Sequence, residues 1–320
     1  IARRPLLAGM AGLGLAGPAL AQGSAAARPI TIIVPFAPGG STDIVSRLLA
    51  ERMTALLGQP VQVENRAGAN TIIGAEFVAR ARPDGHTLLM AAGTTLTINP
   101  VIVPNLPYKL EDFAPVMLAT TFPFGIITQM RGGAVDVPAW VAAAKARPGQ
   151  MTYGTNGPTT LTNVAMLMVM ERLGITMQDV TYRGDSAQLA AFMAGDLDVL
   201  VVSGGTAQPV HRDGRGRLIA WTSARRITST PDVPSIAEFA PGLDVLSWFG
   251  LLAPARTPAD MVQRVNSAAN EALKDEQIRE RLITEGQFLA GGSPEDFAGF
   301  LSRSDTQWRP ILSKLNVPRN

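Results

Sequence analysis

The residues of this chain that could do chemistry are few, and they stand far apart in the sequence. The two histidines, His86 and His211, lie in separate turns without the paired spacing of a zinc site. Ser203 stands in the run V-V-S-G-G-T, which lacks the glycine two residues before the serine that a nucleophile elbow requires. We interpret Asp196 and Asp198 as the end of a turn and not as an acid pair. The sequence therefore predicts no catalytic residue, no metal site and no cofactor.

A different kind of chemistry is open to the segment Ile30 to Asp43, which reads I-T-I-I-V-P-F-A-P-G-G-S-T-D. Its apolar residues predict a buried strand, and Gly39 and Gly40 let the following turn approach a ligand without a Cβ atom in between. Apolar residues recur at helical spacing from Ile44, so the unpaired N–H groups of the first helical turn would face the loop. A carboxylate would be stabilised there by these groups and by the helix dipole. Taken alone, the segment also fits the first βα turn of any α/β domain.

Further polar loops that contain glycine stand at the ends of other predicted strands. They cover residues 93–95, 154–160, 184–186 and 203–206. In open α/β sheets, ligands bind beyond the carboxyl ends of the strands. Two such domains facing each other would therefore line a cleft rich in N–H groups and hydroxyls but poor in catalytic side chains. That composition suits the binding and release of a ligand better than catalysis.

Strand-like and helix-like runs alternate along the chain and would position these loops. This alternation favours an α/β fold with mainly parallel sheets. The hydroxyl, proline and acid patterns that begin at Thr257 and Ser293 predict two further helix starts. After the leader described below, about 295 residues remain, which is more than one typical domain, so two are expected. Strands are predicted at 86–91, 116–121, 125–128, 150–154, 199–202 and 218–222, and helices at 71–82, 138–146, 159–173 and 186–194.

The N-terminal segment predicts export. Arg3 and Arg4 precede an apolar run at 6–20, and A-L-A at 19–21 has the small-x-small pattern of a cleavage site. Because the run is shorter than the ~20 residues of a membrane span, we expect residues 1–21 to be a signal peptide that is removed after Sec or Tat export.

Composition excludes several classes of protein. The chain has no cysteine, which rules out disulfides, thiol catalysis, zinc–cysteine sites and a lipidated cysteine anchor. Its 28 basic and 26 acidic residues balance once the two arginines of the leader are removed, so no basic face for nucleic acid is expected. Together with the leader, these features predict a periplasmic protein that binds no nucleic acid.

Several segments of the sequence, found in the same order, resemble the Bug family of periplasmic solute-binding receptors of tripartite tricarboxylate transporters. The resemblance extends from residue 29 nearly to the C-terminus. The matching segments include P-F-A-P-G-G-S-T-D at 35–43, E-N-R-A-G-A-N-T-I-I-G-A at 64–75, P-D-G-H-T-L-L-M at 83–90, P-D-V-P-S-I-A-E at 231–238, W-F-G-L-L-A-P-A-R-T-P at 248–258 and G-G-S-P-E-D-F at 291–297.

The resemblance implies a type II periplasmic-binding-protein fold, in which two lobes close on a ligand. The first lobe would comprise residues 29–124 and 225–320, and the second lobe residues 125–224. The resemblance also implies a monomeric receptor that captures a small carboxylate and delivers it to membrane permease subunits.

The ligand site that the resemblance implies combines the first loop with loops of both lobes. Within this site, Asp43 would act as the organiser of the first loop more than as a direct ligand partner, because its carboxylate would repel an anion. Asp185 would contact a ligand amine or cap the helix that begins at Ser186. Taken together, the resemblance and the polar loops at the strand ends predict a ligand site formed by Phe36, Gly39, Gly40, Ser41, Thr42, Asp43, Thr94, Thr95, Asn156, Thr159, Thr160, Asn163, Gly184, Asp185 and Ser203.

The sequence departs from the family pattern at several of these loops. Thr159 and Thr160 stand where Gly-Ser is common, and Asn163 stands where histidine is common. Ala67 and the pair at 70–71 replace proline and glycines. Thr160 keeps a hydroxyl for carboxylate capture, whereas the bulk of Thr159 leaves the identity of the ligand open.

Two other functions stay open at this point. A periplasmic sensor would present the same closed receptor to a signalling protein instead of a permease. An enzyme could use the same cleft, but it would need a serine or aspartate with a perturbed pKa beside the ligand.

Overall fold

The computed structural model describes residues 28–182 and 184–314, so the predicted signal peptide at 1–21 lies outside the described residues. Within this part of the chain the strands are Ile30–Val34 (β1), Val61–Asn65 (β2), Thr87–Ala92 (β3), Phe113–Thr128 (β4), Thr152–Thr155 (β5), Gln178–Thr181 (β6), Val199–Ser203 (β7), Arg217–Trp221 (β8), Leu246–Pro254 (β9) and Phe288–Leu289 (β10). The helices are Ser41–Leu57 (α1), Ile72–Ala79 (α2), Asn99–Ile102 (α3), Val137–Ala146 (α4), Leu161–Leu173 (α5), Asp185–Ala194 (α6), Gly204–Arg212 (α7), Ala259–Ala272 (α8), Glu276–Thr284 (α9) and Pro294–Lys314 (α10).

The first strand and helix follow directly from the pattern of apolar residues. β1 pairs in parallel with β2 along one edge and with β3 along the other, and its faces are buried because α1 and α2 pack against it. α1 buries Val45, Leu49 and Met53, which are four residues apart and therefore share one face. The helix ends at Gly58, whose φ of 63° provides a left-handed cap. The loop between β1 and α1 is thus held at both ends by packed elements.

The sheet is mixed, with the order β2-β1-β3-β9-β4-β7-β5-β6, and β8 and β10 also pair with β4. Parallel pairs join β1 to β2 and β3, and β5 to β6 and β7. The expectation of mainly parallel sheets is therefore corrected at the centre, where β4 pairs antiparallel with β9, β7 and β8. The reason is that β4 and β9 pass through the middle of the molecule, and neither belongs to a strand–helix–strand crossover.

β4 is a single strand of 16 residues, although the sequence predicts two strands at 116–121 and 125–128. It pairs with β9 as far as Pro123, and with β7 and β8 from Phe124 and Gly125 onwards. Pro123 cannot donate to a ladder, so it stands where the pairing partners change. We call β1–β3, β9, β10 and the first part of β4 the first lobe. The strands β5–β8 and the last part of β4 form the second lobe.

The return from the second lobe to the first begins after β8. The segment 225–245, which the prediction assigns to the first lobe, contacts the second: Trp221 Nε1 donates to Thr230 Oγ1 at 2.9 Å, and Arg172 donates to the carbonyl of Pro241 at 3.2 Å. These contacts favour a return of the chain to the first lobe at β9 over a return at residue 225. The change of partners in β4 lies beside the predicted boundary at 124/125, and both boundaries stay a prediction.

Among the described residues, no helix combines the length and the apolar character that crossing a membrane requires.

Candidate functional site

The loop between β1 and α1 is organised by the side chain of Asp43. The backbone N–H of Gly39 donates to Asp43 Oδ2 at 3.0 Å, and the Asn65 side-chain amide donates to Asp43 Oδ1 at 2.9 Å. Arg47 Nε donates to Oδ2 at 2.9 Å. Gly39 has a φ of 82°, which favours glycine at the tightest point of the loop. Asp43 is 3% exposed, so its carboxylate serves the loop and not solvent.

These partners stabilise the ionised form of Asp43. Burial alone would raise the pKa of the Asp43 carboxyl, but the hydrogen bonds from Arg47, Gly39 and Asn65 outweigh it and hold the pKa below its usual value. The same Asn65 amide also donates to the carbonyl of Phe36 at 3.1 Å, which ties the start of the loop to β2.

The expected capping by Ser41, Thr42 and Asp43 takes a different form. The N-cap of α1 is Gly40, which has no side chain that could cap the helix. Asp43, in the first turn, reaches back to Gly39 instead, while the carbonyl of Thr42 accepts from Ser46 Oγ at 2.7 Å. Ser41 is thereby free to point at the opposite lobe.

Asp185, the first residue of α6, gathers the polar groups of the second lobe. Its Oδ2 accepts from Ser203 Oγ at 3.0 Å and from Thr206 Oγ1 at 3.2 Å, and its Oδ1 accepts from Asn156 Nδ2 at 3.1 Å. The predicted capping of α6 by Asp185 is wrong, because the N-cap is Gly184, with a φ of 97°, and the carboxylate turns toward β7. Both carboxylate oxygens already have partners within the lobe.

The first contact between the lobes joins two serines. The Oγ atoms of Ser41 and Ser203 lie 2.8 Å apart. Because Ser203 donates its single hydroxyl hydrogen to Asp185, Ser41 is the donor to Ser203. The first turn of α1 is therefore linked through Ser203 to the start of α6.

The second contact between the lobes lies at the start of α5. Asn70 Nδ2 donates to Thr159 Oγ1 at 3.0 Å and to the Thr159 carbonyl at 3.2 Å. The backbone N–H of Leu161, in the first turn of α5, donates to Thr94 Oγ1 at 3.5 Å. Gly93 permits this approach, since a Cβ on it would lie 2.9 Å from Leu161 Cδ2.

Three further predicted ligand residues have their polar groups engaged inside their own lobe. Thr95 is fully buried, and its Oγ1 accepts from the backbone N–H of Ala92, at the end of β3, at 3.5 Å. Asn163 accepts from the Tyr153 hydroxyl at 2.7 Å and donates to the carbonyl of Pro158, and Thr160 Oγ1 donates to the carbonyl of Gly157 at 2.7 Å. Their role as ligand contacts stays a prediction.

The N-terminal ends of four helices meet along this interface between the lobes. α1 contributes Ser41, α5 contributes Leu161, α6 contributes Asp185, and α7 begins directly after Ser203. The first N–H groups of a helix have no partner within it and carry the positive end of its dipole. The arrangement can therefore bind an anion through backbone groups and hydroxyls. The described residues contain no cluster of histidine, aspartate or glutamate that could hold a metal ion.

Sequence reasoning missed several residues that shape this interface. Asn65 and Asn99 act through their amides, and Gln188 Nε2 donates to Asn156 Oδ1 at 2.7 Å. For Gln188 and Asn99, which are fully buried, the only signal in the sequence is a polar residue next to apolar ones. Such residues need a partner, and the partner is visible only once the fold is known.

A cavity of about 540 Å³ lies between α7 and α9, beside the contact of Ser41 with Ser203. None of the predicted ligand residues lines it. Its walls are Gly205, Gln208, Pro209, His211, Arg212, Ser229, Thr230, Arg281, Thr284 and Glu285.

Comparison with known proteins places this geometry in a family. The family described as the tripartite tricarboxylate transporter family receptor, TctC, matches residues 45–317. The protein BugT of Bordetella pertussis is 31% identical over 302 residues, which cover 93% of this chain and 92% of BugT.

Two solved structures from Rhodopseudomonas palustris have the same fold. MatC, with bound malate, is 29% identical with a TM-score of 0.82, covering 89% of this chain and 99% of MatC. A second protein, solved with adipate, is 26% identical with a TM-score of 0.85, covering 90% of this chain and 97% of that protein. The α/β fold of two lobes is thereby confirmed. The chain belongs to the TctC family of tripartite tricarboxylate transporter receptors.

Proposed function

We propose that this protein is a periplasmic solute-binding receptor that captures a small carboxylate-containing metabolite and delivers it to a tripartite tricarboxylate-type transporter. The observation that carries the proposal is the meeting of four helix N-termini, from both lobes, at the hydrogen bonds of Ser41 with Ser203 and of Leu161 with Thr94. A ligand carboxylate placed there would accept hydrogen bonds from backbone N–H groups of both lobes.

The predicted ligand residues would bind an anion reversibly, because they include no positively charged side chain. None of the predicted ligand residues is lysine or arginine, so the anion would be held by dipoles and hydroxyls instead of a fixed cation. The two carboxylates nearby, Asp43 and Asp185, already accept hydrogen bonds from several donors. These donors offset part of the repulsion that the two carboxylates would exert on an anion.

Ligand capture would close the lobes by a hinge motion. β4 passes between the lobes at Pro123 and Phe124, where its pairing partners change, and a few residues at such a point would have to absorb the dihedral changes of closure. A ligand that contacts both lobes binds the closed form more tightly than the open form, which shifts the population toward closure. The malate of MatC and the adipate of the second R. palustris protein support a dicarboxylate as the ligand class.

The cellular context belongs to the same proposal. We infer that the protein is monomeric, resides in the periplasm and meets permease subunits of its transporter. A sensor subunit is the second candidate, because a closed receptor presents the same surface to a signalling protein. An enzyme has less support. Burial raises the pKa of two carboxyl groups, the half-buried Asp179 and the buried Glu285, but they hydrogen-bond to Thr155 and Arg281 and not to a predicted ligand residue.

A thermal-shift titration of the purified protein tests the ligand class. Malate, adipate, other di- and tricarboxylates, acidic amino acids and aromatic acids are compared with malamide and adipamide, which keep the shape and lose the charge. A ligand at 100 times its Kd stabilises the fold by ~2.7 kcal/mol. We expect a saturable rise in Tm with a carboxylate and none with its diamide. Equal shifts with acid and diamide, or no shift with any acid, would contradict the proposal.

A further inference from the structure

The turn before α2 holds an unusual backbone conformation. Gly68, Ala69, Asn70 and Thr71 all have positive φ, with values of 137°, 44°, 52° and 75°. Residues with a side chain avoid this region, and the β-branched Thr71 avoids it most. Such a run persists only where surrounding contacts impose it, and an observed outlier of this kind is a reason to look for a function.

The contacts that impose the turn come from Asn99. This residue is fully buried, and its Nδ2 donates to the carbonyl of Asn70 at 2.8 Å and lies 3.3 Å from Thr71 Oγ1. In return, Asn70 Nδ2 donates to Asn99 Oδ1 at 2.9 Å. The two asparagines therefore hold each other, and the side chain of Asn70 is fixed before it meets the other lobe.

The fixed side chain of Asn70 then reaches across to Thr159. One hydrogen of its amide serves Asn99, and the other is shared between the hydroxyl and the carbonyl of Thr159, at 3.0 and 3.2 Å. Thr159 is 6% exposed and directly precedes Thr160, the N-cap of α5. The contact thus lies over the helix end where the proposed function places a ligand carboxylate.

We propose that Asn70 and Thr159 form a clasp that closes one end of the cleft and limits the length of the carboxylate that the receptor holds. This inference rests on the proposed function. A short ligand fits behind the closed clasp, whereas a longer one must displace Asn70 from Thr159 and lose their hydrogen bonds. The strained turn matters because it holds Asn70 in place, so that closing the clasp costs little side-chain entropy.

Asn70→Gly tests the clasp, with Ala69→Gly as its matched control. Both positions have a φ that suits glycine, so both variants relieve backbone strain, but only Asn70→Gly loses the contact with Thr159. Titration calorimetry with malate, the shorter acid, and adipate, the longer acid, gives the ratio of their Kd values. We expect Asn70→Gly to raise the Kd of malate by about three- to tenfold, which corresponds to the loss of one hydrogen bond. The Kd of adipate should rise less.

Because Asn70→Gly also removes the hydrogen bond to Asn99, a second variant is needed that leaves Asn99 unaffected. Thr159→Val keeps the shape of Thr159 and removes only its hydroxyl, so the pair of asparagines stays intact. It should shift the malate-to-adipate ratio in the same direction by a smaller factor. A ratio that is the same in Asn70→Gly, Ala69→Gly and the unaltered protein would overturn the clasp.

Failure of the clasp is distinguishable from failure of the proposed function. If the unaltered protein binds no carboxylate, the function is wrong, and the clasp is judged by small-angle X-ray scattering of the ligand-free protein. A clasp predicts a larger radius of gyration for Asn70→Gly than for Ala69→Gly, because the closed form loses a contact. Equal radii would overturn it.

Discussion

The Oγ atoms of Ser41 and Ser203, which are 162 positions apart in the sequence, lie 2.8 Å from each other and join the first turn of α1 to the start of α7. Ser203 in turn donates its hydroxyl hydrogen to Asp185, so Ser41 is linked through Ser203 to a carboxylate of the second lobe. A hydrogen bond that crosses between the lobes would break if the lobes opened. Its loss should therefore act on closure more than on folding.

Substituting either serine tests this relationship. Ser41→Ala and Ser203→Ala should each weaken ligand binding by about 0.5–1.5 kcal/mol, the net worth of an ordinary hydrogen bond. In the double variant the loss should be smaller than the sum of the single losses, since the same contact is removed twice. Titration calorimetry on the four proteins gives the coupling. Strictly additive losses would show that the two hydroxyls act independently.

Asp43 should govern the order of the first loop. Asp43→Ala removes the acceptor for Gly39, Arg47 and Asn65, so we expect residues 39–42 to lose their fixed conformation and ligand affinity to fall. Affinity and the exchange rate of the Gly39 amide hydrogen are measured together. Unchanged affinity would contradict the organising role, whatever the effect on Tm.

The same residue predicts a dependence on pH. Because the pKa of Asp43 is lower in the folded protein than its ordinary value of 3.8, the stability that its charge contributes is present above 3.8 and is lost as the pH falls through the folded pKa. The Tm difference between the unaltered protein and Asp43→Asn should thus be largest at neutral pH and shrink below 3.8. A difference that stays constant down to that range would show that the charge is not involved.

Glu285 should behave in the opposite way. It is 5% exposed, its Oε2 has no hydrogen-bond partner among the described residues, and burial raises its pKa above the ordinary value of 4.5 more than Arg281 and Gln287 lower it. The folded protein therefore holds this proton more tightly than the unfolded chain, and stability falls as the pH rises from 4.5 through the folded pKa. Glu285→Gln should raise Tm at neutral pH, and the gain should vanish below 4.5. A lower Tm at neutral pH would mean that the ion pair with Arg281 dominates.

Gly204 should be intolerant of a side chain. A Cβ on it would lie 1.9 Å from the carbonyl oxygen of Glu285, so α7 would have to move away from the end of α9. We expect Gly204→Ala to cost about 1–3 kcal/mol, as overpacking typically does. Gly299→Ala is the control, because that glycine lies within α10 and its nearest neighbour is the flexible end of Arg303. Urea unfolding should show a loss in the first variant and none in the second.

The elements with local signals could be predicted from the sequence. Ser293 caps α10 as expected: the Asp296 N–H donates to its hydroxyl at 3.1 Å, and its own N–H donates to Asp296 at 2.9 Å. Thr257 does not cap α8, because its hydroxyl donates to the carbonyl of Pro254 and Pro258 becomes the N-cap. The same hydroxyl, proline and acid pattern therefore caps a helix at Ser293 but not at Thr257. The difference is that the Thr257 hydroxyl has the carbonyl of Pro254 within hydrogen-bond distance.

Elements and contacts that depend on distant partners could not be predicted. β9 has no alternation of polar and apolar residues because it lies between β3 and β4 and is buried on both faces. The loops of the site could be named from the sequence, whereas their pairing could not. Asn70 meets Thr159 across 89 positions, and only the topology of the sheet brings the two together.

A crystal structure of the protein with the dicarboxylate that stabilises it most tests the central claim directly. The claim is that a carboxylate lies between the lobes at the N-termini of α1 and α5. We predict a ligand oxygen within about 2.7–3.2 Å of a backbone N–H in 40–42 or in 160–163, with both lobes in contact with the ligand. A ligand seated instead in the cavity between α7 and α9, or touching one lobe alone, would contradict the account.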